Sequence, residues 1–368
     1  MLLQFGISIF LISVTLIINQ QTRYINNKDL GFNKEQVSTF DITSRNMYHS
    51  RQSFRTELEA YPGIVSTSLS TDVLGTGFTN NSGPVFSKRN TDLSANTTLF
   101  GVDHSFLQTY DMELVLGRDF DLKSAADSGA LIVNEALVKS LGLENPLNEK
   151  VAFWDPNRDG LPIIGVVKDF HFQKLHDEIN PVVLRISPRN IWNLSVQMKG
   201  EGMAQTLAFI EAKWNEFEPD AAFEYSFISQ EFASFYANEV RMQQAITFFS
   251  IVSIVLTSLG LLGMCTFVIE RKLKEIGLRK ILGASVRSIN LLVFKEFLWV
   301  FVVALLLASP AAVYLGADWL DQFAYRISIN AMPIIMAGGL TLTIITSMVI
   351  LLTRRAAVAN PMQALRNE

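Results

Sequence analysis

The 368-residue chain has little that could hold a metal or run a reaction. It has one cysteine and four histidines. A single thiol closes no disulfide within the chain and builds no cysteine-rich metal site. Cys265 stands in an apolar run and reads as a small buried hydrophobe. His171 and His176, in "KDFHFQKLHDEINP", are five residues apart and so share no helical face. They read as solvated loop residues; His49 and His104 are the other two. Gly-x-x-x-x-Gly-Lys-Ser/Thr does not occur, which excludes the usual phosphate-cradling loop, and neither does His-Glu-x-x-His. Carboxylates are plentiful, but no pair is singled out for acid–base work. The expectation is a chain that is not an enzyme, with no catalytic residue, metal ligand or cofactor site of its own.

Charge is scarce as well. Only 18% of residues are charged, 49% are hydrophobic, and the mean hydropathy is +0.25. That balance is too apolar for an ordinary soluble domain. Four segments are long enough to cross a hydrocarbon core of about 30 Å, which takes about 20 helical residues. They are Leu2 to Ile18 (helix 1, within 1–20), 245–269, 289–317 and 327–353. With no water to bond their backbones, such spans must be helical. Helix 1 lacks the basic flank and small-residue cleavage site of a signal peptide, so it reads as an uncleaved anchor.

The net charge of −4 conceals a segregation. Residues 21–240 carry 19 Lys and Arg against 29 Asp and Glu, whereas 270–287 and 354–368 together carry nine basic and three acidic residues. Basic short loops mark the cytoplasmic face. The loop 270–288 and the tail 354–368 then lie inside, and 21–240 outside. Tyr24, Tyr314, Trp319 and Tyr325 fall near the outer ends of spans, where amphipathic aromatics settle. The fold class follows: a membrane protein of four transmembrane α-helices, with a large mixed α/β extracytoplasmic domain (21–240) inserted between helices 1 and 2, and 241–368 forming the remaining membrane part.

Within 21–240, "SRQSFRTELEAYPG" places Phe54, Leu58 and Tyr61 on one helical face and ends at Pro62-Gly63. "GALIVNEALVKSLGL" predicts a strand and a helix, and "LPIIGVVKDF" a buried strand. "VVLRI", "NLSVQMK", a helix over Met203 to Phe217 and "AFEYSFI" predict a small sheet covered on one face. Segment 72–100 reads as a loop or hairpin tip. From Ser229, a capping residue with Glu231 in the first turn, the pattern predicts a helix running without a break into the second span.

The positive charge gathers at "ERKLKEIGLRKILGAS", Glu270 to Ser285. Glu275 and Arg279 stand at i, i+4 and can pair. Ile276, Lys280 and Gly283 share one helical face; Leu278, Ile281 and Leu282 form another, apolar one. Gly283 suits a helix end, and Ser285 can cap the next helix. A short amphipathic helix between two spans is expected. Such loops often do no more than enforce topology. Lys295 and Glu296 lie early in the third span; an ionisable group there is a candidate functional residue, or else pairs or snorkels at the inner interface.

That loop resembles the cytoplasmic loop of MacB/FtsX-type ABC transporter permeases. "RRAAVANPMQALRNE" is similar to the terminal segment of that family. "DHSFLQTYDMELVLGRDFD", "ALIVNEALVKSLGLENPLNEKV" and "IIGVVKDFHFQKLHDEINPVV" resemble successive blocks of its MacB-like periplasmic core domain. The resemblance implies four spans per module, two permease modules (a homodimer or sibling halves), and a separate ABC ATP-binding subunit that holds the ATP and Mg. ATP-driven closure would move the outer domains through long helices (mechanotransmission), in the cell inner membrane. The segment Glu275, Ile276, Gly277, Leu278, Arg279, Lys280, Ile281, Leu282, Gly283, Ala284, Ser285 would dock on the ATPase. Export of a peptide, lipoprotein or amphiphilic drug, and signalling to a periplasmic partner such as a cell-wall hydrolase, both fit; an outer-membrane partner fits the first, and nucleic acid fits neither. A receptor without an ATPase would need no docking helix. The opening stretch through "NKDLGFNKEQV" looks like the start of the second half of longer two-module permeases, which implies a fragment or a shortened gene.

A cysteine placed at Asp159 should react with an impermeant thiol reagent in intact spheroplasts, and one at Arg287 should not. The opposite labelling pattern would invert the orientation.

Overall fold

A computed structural model of the chain describes residues 1–75, 82–187 and 191–358, apart from the side chains of Lys280 and 355–358. The chain divides into two compact units: Lys28–Tyr236, and Met1–Asn27 together with Ala237–Glu368. The family-like carboxyl end, from residue 359 on, lies outside the described residues.

Helix α1 (Leu2–Asn27) continues beyond residue 20, the end that hydropathy predicts. The outer unit then begins with β1 (Val37–Asp41), α2 (Arg45–Glu59) and β2 (Ile64–Ser70). Ser44 caps α2 by accepting the Met47 N–H at 2.9 Å. The hairpin β3 (Ser82–Ser87) and β4 (Ser94–Val102) follows, then α3 (Phe106–Tyr110) and β5 (Leu114–Gly117). Next come β6 (Leu131–Asn134), α4 (Glu135–Ser140), β7 (Lys150–Phe153), β8 (Leu161–Val167), β9 (Val182–Ile186), β10 (Asn193–Met198), α5 (Met203–Phe217), β11 (Ser226–Phe227) and α6 (Ile228–Phe235).

These strands form two sets. One is an antiparallel sheet in the order β11–β1–β10–β2, with a core of Phe40, Phe54, Leu58, Leu194, Val196, Ile210 and Trp214 between its strands and helices α2 and α5. Phe54 and Leu58 fill this core as their helical spacing predicts, and the half-buried Tyr61 stacks on Phe209 with ring centroids 4.2 Å apart. In the other set β4, β3, β7, β8, β6 and β9 follow one another until β9 pairs back on β4, closing a ring. The β4–β9 and β6–β8 pairs are parallel and the others antiparallel. The expected small sheet joining "VVLRI" to "NLSVQMK" is therefore corrected. Those neighbouring strands, β9 and β10, belong to different sets, because β9 pairs with β4 and β6 while β10 pairs with β1 and β2.

An ion-pair network ties the sets together where β2 meets β4. The Arg55 guanidinium donates to Asp103 Oδ2 (2.6 Å), the Thr67 carbonyl (3.0 Å) and Ser105 Oγ (2.8 Å), and pairs with Glu59 at 2.8 Å. Asp103 accepts further from Ser68 Oγ and the Leu69 N–H. Arg55 and Asp103 are both largely buried, so removing either partner leaves an uncompensated charge.

Two expectations fail here for packing reasons. The helix from Ser229 is interrupted at Tyr236, whose backbone takes φ −107° and ψ 13°. The buried Tyr236 hydroxyl accepts the Leu175 N–H at 2.7 Å, and its ring stacks on His176, which fixes the residue within the outer unit. Phe227, not Ser229, is the capping position of α6, although Glu231 does sit in its first turn. His171 and His176 are not the solvated residues expected: His171 is buried, beside the fully buried Phe170 and Phe172, and His176 is half-buried.

In the membrane-type unit, α1 packs against α7 (Ala237–Arg271), α9 (Val286–Leu320) and α10 (Met332–Val358), with α8 (Leu273–Ile281) between α7 and α9. All four long helices are apolar enough to span a membrane. Ala304, Ala308, Ala312 and Gly316 recur every four residues on α9 and are buried, a stripe that lets helices approach closely. A Cβ on Gly316 would lie 2.9 Å from Ile17 Cδ1. Buried Gln21 donates to the Tyr325 carbonyl (2.9 Å) and accepts from the Ile327 N–H (3.0 Å), clamping α1 to the α9–α10 connection. Ile327 is thereby drawn into that connection; α10 starts only at Met332, whose N–H bonds Asn330 Oδ1 at 3.1 Å. Phe248, Leu256, Leu259, Leu306 and Leu307 point outward, as lipid-facing side chains do.

Burial, aided by Lys28, lowers the His171 pKa from 6.5 to about 4. The folded state holds this imidazole neutral, so its contribution to stability is complete above pH about 6.5 and is lost as the pH falls toward 4. In urea unfolding of the detergent-solubilised chain, His171→Gln should flatten the loss of stability between pH 7 and pH 4.5. An unchanged slope would place the acid sensitivity elsewhere.

Candidate functional site

The basic segment folds as a short helix between two turns. At Lys272 the chain leaves α7, its N–H still bonded to the Val268 and Ile269 carbonyls. The Lys272 carbonyl then accepts the Ile276 N–H at 2.8 Å as α8 begins. Gly283 closes α8 with φ +85°, a left-handed conformation that favours glycine, and the Ala284 N–H reaches back to the Arg279 carbonyl at 2.9 Å. Ser285 then caps α9, its side chain accepting the Ser288 N–H. The other glycine, Gly277, lies inside α8, and a Cβ there would meet nothing within 4 Å.

Glu275 and Arg279 form the i, i+4 pair at 2.8 Å on the exposed side. Ile276 is 5% exposed and turns inward, anchoring the helix. Leu278, Ile281 and Leu282 are 59%, 67% and 78% exposed, with Val286 also in the open. The side chain of Lys280 lies outside the described residues. The segment thus presents an apolar strip beside Arg279 and the exposed Arg287. Isolated exposed leucines need no explanation; here three large apolar side chains stand in the open within one short stretch.

Glu296 is brought to this segment rather than into the helix bundle. Its carboxylate accepts from Lys272 Nζ at 2.6 Å, and it is about half exposed. Lys272 was not among the residues that sequence reasoning singled out. Its partner stands on the next long helix, and no local spacing marks the pair. Val286 was missed because it follows the capping serine and reads as the first residue of the next helix. Among the described residues, no group of three or more His, Cys, Asp or Glu is placed to hold a metal ion.

Comparison with known proteins falls on this part of the chain. Residues 247–361 match the family model of the FtsX-like permease C-terminal domain. The matched permease segment contains most of α7, all of α8 and α9, and α10. With the four apolar helices, it indicates an integral membrane protein with a permease-type role. Among solved structures, the chain is similar to the periplasmic region of MacB from Actinobacillus actinomycetemcomitans, at 16% identity and a TM-score of 0.40 over 58% of this chain and 98% of that one. It is also similar to the extracellular domain of the noncanonic ABC-type transporter YknZ from Gram-positive bacteria, at 16% identity and a TM-score of 0.36 over 52% and 98%. No curated protein matches.

A partly exposed ion pair contributes about 0.2–1 kcal/mol. Glu296→Gln should therefore lower the thermal stability of the solubilised protein only slightly, and the swap Lys272→Glu/Glu296→Lys should restore it. Failure of the swap to restore stability would mean that this carboxylate does more than pair with Lys272.

Proposed function

We propose that this chain is the permease subunit of an ABC transporter of the cytoplasmic membrane. It couples ATP hydrolysis in a separate ATP-binding subunit to movement of its extracytoplasmic unit. The observation that carries the reading is α8: a short helix held between two spans, with Ile276 turned inward and Leu278, Ile281 and Leu282 turned outward. Burying that strip against a partner is worth about 25 cal/mol for each Å² of apolar surface removed from water. Arg279 and Arg287 beside it select a partner surface with acidic groups at its rim. Gly283 closes α8 and Ser285 caps α9, so a push on α8 reaches α9 through a four-residue link, 282–285, instead of being lost in slack chain.

ATP and Mg belong to the partner on this reading, and the chain itself performs no chemistry. A second permease module completes the assembly. The acidic outer unit acts on the cargo, a peptide, lipoprotein or amphiphilic drug, outside the membrane.

In pull-downs from native membranes, Leu278→Asp/Ile281→Asp should abolish co-purification of the ATP-binding subunit while membrane insertion stays intact. Gly277→Ala, which meets open space, should leave it unchanged. Wild-type recovery of the ATPase by the double variant would sink the docking role of α8.

A further inference from the structure

Between Glu296 and Asp318, α9 carries no charge. Those residues, 297–317, cover about 30 Å at about 1.5 Å per residue, which is the thickness of a hydrocarbon core. The sequence of α9 thus sets its own depth in a bilayer. Lys295 and Glu296 stand at the edge of the core nearest α8, level with lipid phosphates, and Trp299 lies about one turn deeper.

The two charges at that edge are differently placed. Glu296 is neutralised by Lys272 at 2.6 Å. Lys295 is exposed, and among the described residues no carboxylate pairs with it. Its neighbours on the helix surface recur every four residues: Arg287, Leu291, Lys295 and Trp299 form one ridge. All four are exposed, Leu291 by 55% and Trp299 by 71%. Val293, Phe297 and Phe301 form a different ridge, which is buried in the bundle. Arg287 likewise has no carboxylate partner among the described residues. The exposed ridge therefore carries two uncompensated positive charges, with an apolar side chain between them and an indole on the hydrocarbon side.

We infer that this ridge is a binding site for an anionic phospholipid. A cation at the edge of the hydrocarbon needs an opposite charge or a path to water. On the lipid-facing side of α9 the opposite charge at that depth is the lipid phosphate. A zwitterionic headgroup brings a cation of its own and leaves the two protein charges uncompensated, whereas an anionic headgroup neutralises them. Lys295 is the principal headgroup ligand, and Arg287 reaches the same headgroup from the water side. Leu291 and Trp299 lie along the start of the acyl chains, a depth at which an indole is stable because its ring is apolar and its N–H can face the headgroup. Arg287 also borders the α8 strip, so Lys295 and Trp299 are the residues that decide the question. The site requires only that α9 spans a membrane and is independent of the function proposed above.

Quenching of Trp299 by brominated lipid tests the site directly. The full-length chain is placed in phosphatidylcholine vesicles containing a minor fraction of phosphatidylglycerol, with bromine on the acyl chains of one lipid or the other. The part of the quenching that Trp299→Phe removes reports the lipid at this ridge. Brominated phosphatidylglycerol should contribute several-fold more of that part than its mole fraction. Lys295→Gln, an exposed change that leaves the bundle core alone, should return it to the mole fraction. Arg23→Gln, at the outer end of α1, should leave the enrichment unchanged. Resistance to a carbonate wash checks that each variant is inserted. Quenching in proportion to mole fraction in the wild type would make this ordinary bulk lipid. Absence of Trp299 quenching by either lipid would mean that another chain covers the ridge, and unchanged enrichment in Lys295→Gln would remove its headgroup ligand; each of these overturns the site.

Discussion

Hydrocarbon offers no hydrogen-bond partner, and most polar side chains buried among the four long helices are placed under that constraint, Ser13 Oγ being an exception. The backbone meets it by being helical. The side chains meet it in two ways: Gln21 spends both ends of its amide on the backbone of one connection, and the hydroxyls of α1 and α7 bond one another or the carbonyl one turn back. Where no polar group is involved, small residues take over, and the Ala304-to-Gly316 stripe lets α9 lie close to α1. The placement of α1 at the centre of the unit follows from these contacts. It packs against the other three long helices, while their outward faces keep large apolar side chains for lipid.

Outside the hydrocarbon the organising problem changes. Water competes for every hydrogen bond, and stability comes from closing apolar cores. The outer unit solves this with a sheet covered by two helices and a ring of strands that pairs back on itself, which leaves few free strand edges. The joint between the two is polar. Arg55 and Asp103 form a largely buried ion pair there, each with several hydrogen-bond partners, an arrangement that specifies geometry more than it adds stability.

What could be read in the sequence was local. The helix Met203–Phe217, the strand and helix around Asn134, the Gly283 end and the Ser285 cap all rest on residues within a few positions of one another. The number of spans rests on apolar length alone. What stayed hidden depends on distant partners. Nothing near "VVLRI" says that it pairs with β4 and β6 instead of its neighbour β10. Nothing near His171 says that Phe170 and Phe172 will carry it into a core. The interruption at Tyr236 requires Leu175, a residue 61 positions earlier, to claim its hydroxyl. At the candidate site the segment and its caps were legible. The ion pair of Glu296 with Lys272 and the outward turn of the leucines needed the packing.

The Gln21 clamp also sets a schedule for biogenesis. The two groups that satisfy its buried amide lie 304 and 306 residues downstream. At 5–20 residues per second the ribosome takes roughly 15–60 s to supply them. Throughout that interval the first helix has entered the bilayer without its final neighbours, and its amide must borrow partners from the insertion machinery, water or lipid headgroups. Helix α1 is thus made long before the connection that completes its native hydrogen bonding, and completing the α9–α10 connection is the step that seals the bundle.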